Sequence, residues 1–326
     1  SSVFTEWVLH LPSDFSVTAG IGLSTMNIDL ENRLYDSEST NTRNVNGDYN
    51  NMYSPHLAVN KVFNKNVSVY ASYSTGYKAP VSGNIVLSTS GQLNTGLVPE
   101  KGDQFEIGSK GNLFSNKLYY QIALFDAVFK DKFTSVAVPL DENTTAYTYI
   151  ANGGKQDNKG VEALLKYHAY TSVSGFLSSI DPYANVAYSH FRYKDFQYES
   201  LDSDGNKIIA DYSDKAVAGV APWVINAGID FNTHPGFYGN VNYSYRDSMP
   251  FTSDGENRTS AYNLLNAKLG YRTGFGHLDL DVFAGADNIT GTQYYYMVFV
   301  NQLPDAYLPA PYNTNFYGGM SLRYNF

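Results

Sequence analysis

Apolar and polar residues alternate one by one along most of this chain, and this period of two most restricts its fold. In FYGGMSLRYNF (residues 316–326), Phe316, Met320 and Leu322 alternate with residues that are mainly polar or small. In HLDLDVFAGAD (277–287), Leu278 and Val282 alternate with aspartates. Successive strand residues point to opposite faces, so the pattern predicts strands with one apolar and one polar face.

The same pattern predicts an all-β chain of about 13 strands. A content of 29 Tyr, 19 Phe and 27 Gly agrees, because aromatic residues suit strands and glycine suits turns. The predicted strands lie near residues 2–10, 15–29, 53–62, 67–76, 102–112, 117–131, 159–170, 180–196, 222–231, 237–247, 261–272, 277–287 and 315–326.

Short and long connections take turns along the chain. The short ones are 11–14, 63–66, 113–116, 171–179, 232–236 and 273–276. The long ones are 30–52, 77–101, 132–158, 197–221, 248–260 and 288–314. In an antiparallel meander this order places every short turn on one rim and every long loop on the other, which is typical of a transmembrane β-barrel of the bacterial outer membrane. An additional hairpin within 132–158, at FTSVAVP and TAYTYIA, is an alternative reading of that loop.

Composition excludes several function classes. A net charge of −9 argues against binding nucleic acid, which requires a basic face. There is no Cys, and the six His lack metal-ligand spacing, so we expect no metal site and no cofactor. The sequence contains no run of 18 apolar residues and therefore predicts no membrane-spanning helix. The mean hydropathy of −0.31 suits strands that are apolar only at every second position.

Six stretches carry a family resemblance in their order along the chain. They are VYASYSTGYKAP (69–80), GLVPEKGDQFEIGSKG (96–111), KGVEALL (159–165), YNLLNAKLGYR (262–272), GADNITGTQYY (285–295) and LRYNF (322–326). Together they resemble the C-terminal part of TonB-dependent outer-membrane receptors of the ferric-siderophore type.

That resemblance implies a 22-stranded plugged barrel that imports a scarce nutrient, most often a ferric siderophore, with energy relayed by the TonB complex. It implies that residues 1–326 are the C-terminal part of the barrel. The plug domain, the TonB-contacting N-terminal region and the early strands would then lie outside this chain. We expect strands from elsewhere to complete the barrel, because unpaired backbone groups in lipid are costly. The implied surroundings are outer-membrane lipid and lipopolysaccharide.

Candidate ligand-binding residues lie where strands enter the long loops. Tyr77 and Lys78 follow one strand, Arg246 ends another on its polar face, and Arg258 lies in the loop after it. The last long loop adds Tyr294, Tyr295 and Tyr296. Cationic and aromatic side chains suit anionic iron chelates. Each residue also has a structural reading, and for Lys78 a solvated rim charge is the simpler one.

Other motifs have structural explanations. The carboxylates of Glu106, Asp279 and Asp281 on polar faces are expected to pair with Lys or Arg of neighbouring strands or of a plug. Tyrosines near strand ends are expected at the lipid headgroup level. DSDGN (202–206) resembles a calcium loop but lacks the distant Glu, so it predicts a turn.

Two other functions remain open from the residues alone. A passive, porin-like diffusion channel is the main alternative, and a barrel-embedded hydrolase is the third. No GxSxG elbow or phosphate-binding glycine loop is present, so we expect no enzyme. The ligand stays open among iron chelates, cobalamin and oligosaccharides. Haem is less favoured, because no His lies between Pro80 and Pro99.

Overall fold

The computed structural model describes residues 1–31, 33, 44–85, 94, 96–141, 144–201, 207–303 and 307–326. Nearly all described residues with regular structure are in strands, and α1 (Ser82–Ile85) is a single short turn of helix. No helix in this part of the chain is long and apolar enough to cross a membrane.

Fourteen strands form one antiparallel sheet. They are β1 (Ser2–Leu11), β2 (Phe15–Glu31), β3 (Asn44–Phe63), β4 (Val67–Lys78), β5 (Glu100–Leu113), β6 (Leu118–Lys130), β9 (Lys155–Tyr167), β10 (Tyr170–Thr171), β11 (Leu177–Lys194), β14 (Trp223–Thr233), β15 (Phe237–Arg246), β16 (Tyr262–Phe275), β17 (Leu278–Asp287) and β20 (Asn315–Tyr324). Three separate hairpins account for the other strands, namely β7 (Phe133–Asp141) with β8 (Thr144–Asn152), β12 (Gln197–Leu201) with β13 (Lys207–Asp211), and β18 (Tyr295–Val298) with β19 (Tyr307–Pro309).

The order of the sheet confirms the predicted meander. Thirteen strands follow one another as neighbours from β1 to β20, and each contains most of one predicted segment. The prediction for 53–62 was wrong at its start, because β3 begins at Asn44 and its pairing with β2 continues to Glu31, within the predicted long connection 30–52. The prediction for 159–170 was wrong at its end, because the chain leaves the ladder after Tyr167 and the two residues of β10 pair separately with β11. The alternative hairpin within 132–158 is present as β7 and β8, outside the main sheet.

The connections are segregated as the sequence predicts. We call the end that carries the short turns the turn rim, and the end that carries the long loops the loop rim. The three accessory hairpins all belong to long connections and therefore to the loop rim.

One face of the sheet, here the apolar face, carries exposed hydrophobic side chains. Ile107 is 45% exposed, Leu124 49% and Leu269 56%. The two clusters of buried hydrophobic residues among the described residues lie near the loop rim, one around Ile28, Ile85 and Leu97 and one around Tyr193, Phe196 and Val217. The sheet therefore does not cover a dry core of its own in the described region, which is the arrangement of a membrane barrel wall.

The opposite face, here the polar face, brings tyrosine rings over glycines of the next strand. Tyr70 is the ladder partner of Gly108, and a Cβ added to that glycine would lie 2.5 Å from the tyrosine ring. Tyr238 and Gly270 repeat the arrangement between β15 and β16. Glycine is required at both positions because the tyrosine ring fills the space that a side chain on the facing residue would need.

The sheet ends at β1 on one side and at β20 on the other. Every residue of β1 is exposed, and so is nearly every residue of β20. The sheet is therefore an unclosed portion of a barrel wall.

Candidate functional site

The polar face near the turn rim holds a network built on Asp281. Its carboxylate accepts a hydrogen bond of 2.7 Å from the hydroxyl of Tyr238 and one of 3.0 Å from Nε of Arg272. The guanidinium carbon of Arg272 also lies 4.4 Å from the centre of the Tyr238 ring. The predicted interior salt bridge of Asp281 is confirmed.

The other two carboxylates have neutral partners among the described residues. Glu106 accepts hydrogen bonds from Tyr70 at 2.6 Å and from Gln104 at 3.2 Å. Asp279 accepts one from Asn325 at 2.8 Å. The pairing of Glu106 and Asp279 with cations of a plug stays a prediction.

A cavity of 650 Å³ opens on the polar face at the turn rim. Its lining includes Arg272, Arg323, Asp279 and Asp281. Sequence reasoning identified the two aspartates but missed this cavity, since it forms only when β15, β16, β17 and β20 lie side by side.

The loop rim brings three of the predicted ligand residues close together. Arg246 is exposed at the end of β15 and is the ladder partner of Tyr262. The Tyr262 ring lies 5.5 Å from that of Tyr294, which lies 5.7 Å from that of Tyr296. We call Arg246, Tyr262, Tyr294 and Tyr296 the mouth patch.

Tyr262 was missed as a site residue. It was expected at the lipid headgroup level, but it lies on the polar face, on the same side of β16 as Arg272. The alternation along YNLLNAKLGYR contains this information, since the two residues are an even number of positions apart. By contrast, Tyr243 and Tyr324 lie on the apolar face near strand ends, where they were expected, and are 41% and 54% exposed.

The three consecutive tyrosines have different environments. Tyr296 is 61% exposed. The pKa of Tyr294 is raised above its ordinary value, mainly because Tyr294 is partly buried and to a smaller extent because Tyr296 lies beside it. The ring of Tyr295 packs against that of Tyr307 across the hairpin of β18 and β19, with the ring centres 4.6 Å apart. Tyr295 therefore holds the loop together and lies apart from the mouth patch.

Arg258 is engaged within its own loop. Its guanidinium donates hydrogen bonds to Oγ of Ser248 at 3.2 Å and to the Ser248 carbonyl at 2.9 Å. These bonds connect the two sides of the 247–259 loop, which favours the structural reading of this residue.

Tyr77 and Lys78 lie on another part of the rim. Five strands separate β4 from β15 in the sheet. Nζ of Lys78 lies 5.2 Å from the centre of the Phe133 ring, and Tyr77 lines a cavity with Ser24, Met52 and other residues. The structure therefore does not bring these two residues to the mouth patch.

Three long loops pack together at the loop rim. The hydroxyl of Tyr193 lies 3.3 Å from Oγ of Ser253, and the Ser253 amide donates to Oδ1 of Asn301 at 2.8 Å. The Gly219 amide donates to the Pro250 carbonyl at 2.7 Å. We call this packed unit, drawn from residues 193–197, 209–222, 247–260 and 288–303, the loop cluster. Ser253 and Asn301 are buried, so their bonds hold the loops in one arrangement.

The described residues contain no group of three or more His, Asp or Glu side chains placed to hold a metal ion. The DSDGN segment (202–206) lies outside the described residues, so its turn stays a prediction.

Comparison with known proteins gives consistent matches. Residues 1–289 match the model of the family described as TonB dependent receptor-like, beta-barrel. The siderophore receptor PiuA from Acinetobacter baumannii is 16% identical, with a TM-score of 0.71 over 98% of this chain and 42% of that one. The ferric-catecholate import receptor Fiu from K12 E. coli is 16% identical, with a TM-score of 0.68 over 98% and 44%. The copper transporter OprC is 14% identical, with a TM-score of 0.71 over 100% and 47%. The chain spans less than half the length of these structures, and the similarity at this identity shows the fold.

Proposed function

Because this chain belongs to the family of TonB-dependent receptor β-barrels, we propose that it is part of an active-transport receptor that binds a ferric siderophore or another iron chelate at its loop rim. Barrels of this family reside in the bacterial outer membrane, and so does this one. The apolar face then contacts lipid, and the polar face lines the interior. The proposed activity is binding and transport, with no catalytic step.

The mouth patch is the observation that carries the proposal. At the loop rim the patch places the exposed guanidinium of Arg246 near a group of tyrosine rings. A guanidinium donates paired hydrogen bonds to carboxylate or phenolate oxygens, and tyrosine rings supply flat contact surfaces and hydroxyl donors. Iron chelates present this combination of negative oxygens and organic backbone.

The remaining wall of the barrel and the plug are proposed to lie outside residues 1–326. The exposed strands β1 and β20 support this, since open sheet edges are not stable in the hydrocarbon region. The Arg272 and Asp281 network and the cavity beside it offer polar groups for a plug at the turn rim. The plug would be displaced from that side by energy relayed through TonB.

The test uses the full-length receptor in an iron-starved host that lacks its other iron receptors. A panel of ferric chelates is supplied, in the presence and in the absence of a working TonB system. Growth rescue by at least one chelate only when TonB works is the expected result. Uptake that does not depend on TonB, together with a steady open conductance in a planar bilayer, would instead establish the passive channel.

A further inference from the structure

The mouth patch offers one guanidinium to a ligand. Arg246 forms no ion pair with any residue that the structure describes, whereas Arg258 is bonded within its own loop. The next cation down the polar face of β16 is Lys268, six residues below Tyr262, and its Nζ lies 4.0 Å from the centre of the Phe283 ring. Six residues of a strand span about 20 Å. A single cation is therefore available at the height of the patch.

A carboxylate lies just below the patch on the same polar face. Asp287 ends β17, is exposed, and follows Asp281 at an even spacing, so it lies on the polar face. The amide of the next residue, Asn288, donates to Oδ1 of Asn266 at 2.8 Å, which places Asp287 level with Asn266 of β16. In the described part of the chain Asp287 has no ion-pair partner. An uncompensated negative charge is thus present at the foot of the patch.

The separation of Arg246 and Asp287 is that of two groups on either side of one small ligand. Arg246 is four residues above Asn242, the ladder partner of Asn266, and Asp287 is one strand farther along. A strand spacing of about 4.8 Å and a rise of about 3.3 Å per residue give about 16 Å between their Cα atoms. After burial and the neighbouring tyrosines, the Asp287 carboxylate also raises the pKa of Tyr294, so these two side chains are close.

The tyrosine rings of the patch form a corner instead of a flat stack. The planes of Tyr294 and Tyr296 meet at 76° with the ring centres 5.7 Å apart, and those of Tyr262 and Tyr294 meet at 39°. We call these three rings the tyrosine corner. Aromatic rings attract one another edge to face as well as offset and parallel, so a planar ring in the corner contacts the face of one tyrosine and the edge of another. The corner therefore favours a ligand with aryl groups.

The other charges of the neighbouring loops add to that of Asp287. Segments 247–260, 288–303 and 307–314 contain Asp247, Asp254 and Glu256 but only one cation, Arg258. A ligand with several negative charges meets this surplus of carboxylates, and like charges placed together oppose binding. A ligand with one anionic group directs that group to Arg246 and keeps its neutral part beside Asp287.

We propose that Asp287 determines the specificity of the mouth patch by excluding polyanionic chelates. The ligand is then a ferric chelate with aryl groups and at most one net negative charge. Its anionic oxygen binds Arg246 while its rings occupy the tyrosine corner. This inference rests on the proposed transport function and narrows the ligand from iron chelates in general to one chemical class.

The experiment titrates purified full-length receptor with four ferric chelates and follows intrinsic fluorescence. Two carry aryl donors, namely a low-charge chelate of phenolate and heterocyclic nitrogen groups and a polyanionic tris-catecholate. Two lack them, namely a neutral tris-hydroxamate and the polyanionic citrate complex. We expect the low-charge aryl chelate to bind at least tenfold more tightly than each of the others. Equal or tighter binding of any of the other three, or binding of none of the four, overturns the proposal.

The Asp287→Asn variant tests the exclusion directly. We expect it to tighten binding of the tris-catecholate at least fivefold and to change binding of the low-charge aryl chelate less than twofold. Asp287→Glu, which keeps the charge, should bind as wild type does and separates loss of charge from a change in packing. The matched control is Asp14→Asn, which removes the same charge from an exposed turn at the opposite rim and should change neither affinity. Equal effects of Asp287→Asn and Asp14→Asn overturn the assignment.

Growth of the iron-starved host on the same chelates separates this inference from the transport proposal. TonB-dependent growth on the tris-catecholate, the tris-hydroxamate or the citrate complex, without growth on the low-charge aryl chelate, rejects the specificity assigned to Asp287 and leaves the transport proposal standing. Absence of TonB-dependent growth on every ferric chelate of the wider panel rejects the transport proposal itself.

Discussion

The hydroxyl of Tyr70 donates a hydrogen bond of 2.6 Å to Glu106 while its ring covers the Cα of Gly108, two residues farther along β5. One aromatic side chain thus satisfies a carboxylate and fills the space left by a glycine. The pair joins β4 to β5 on the polar face.

Replacing Gly108 by Ala is expected to displace the Tyr70 ring and to lengthen its bond to Glu106. Inserting a methyl group into a filled site costs about 1–3 kcal/mol, so the melting temperature of the full-length receptor should fall. Gly76→Ala is the matched control, because nothing lies within 4 Å of a Cβ at that position of β4. Equal melting temperatures for the two variants would contradict the proposed packing role of Gly108.

Replacing Arg246 by Ala is expected to weaken binding of an anionic ferric chelate. A hydrogen bond to a charged group contributes about 1.5–3 kcal/mol, so affinity should fall by at least tenfold in a titration followed by intrinsic fluorescence. Arg258→Ala is the comparison, since that guanidinium is bonded to Ser248. If Arg258→Ala reduces affinity and Arg246→Ala does not, the mouth patch is wrongly assigned.

Tyr295 and Tyr296 are adjacent but are expected to respond differently to replacement by Ala. Tyr296→Ala removes an exposed ring of the mouth patch and should reduce chelate affinity by about 0.5–1.5 kcal/mol. Tyr295→Ala removes the contact with Tyr307 and should mainly increase proteolytic cleavage of the 288–314 loop. The same chelate titration and a limited proteolysis time course distinguish the two effects.

Replacing Asn301 by Ala is expected to loosen the loop cluster. The substitution leaves the buried amide of Ser253 without its acceptor, at a cost of about 1–3 kcal/mol. Amide hydrogen exchange should then become faster in 247–260 as well as in 288–303, although only one loop was changed. Faster exchange confined to 288–303 would show that the loops do not act together.

The strands of the main sheet were predictable because each one presents a different environment on its two sides. The alternation in β16, β17 and β20 identifies them directly, and the order of short and long links fixes their order in the sheet. The break after Tyr167 was not predictable, since the sequence continues with His168 and Tyr170 in a strand-like pattern. It results from the separate pairing of β10 with β11.

The candidate site was predictable only in part. The position of Arg246 follows from the periodicity of β15, which places this residue on the polar face at the loop-rim end of the strand. The different environments of Tyr294, Tyr295 and Tyr296 depend on how the last loop folds over β16, and no local pattern carries that information. The loop cluster likewise depends on contacts such as that between Ser253 and Asn301, 48 residues apart.

The shared interior of the three packed loops limits how this receptor can acquire a new specificity. A segment transplanted alone from a homologue would arrive without the complementary residues on which it must rest. A change of ligand in the proposed receptor would therefore require exchanging the three segments as one block, with the strands beneath retained as an unchanged base.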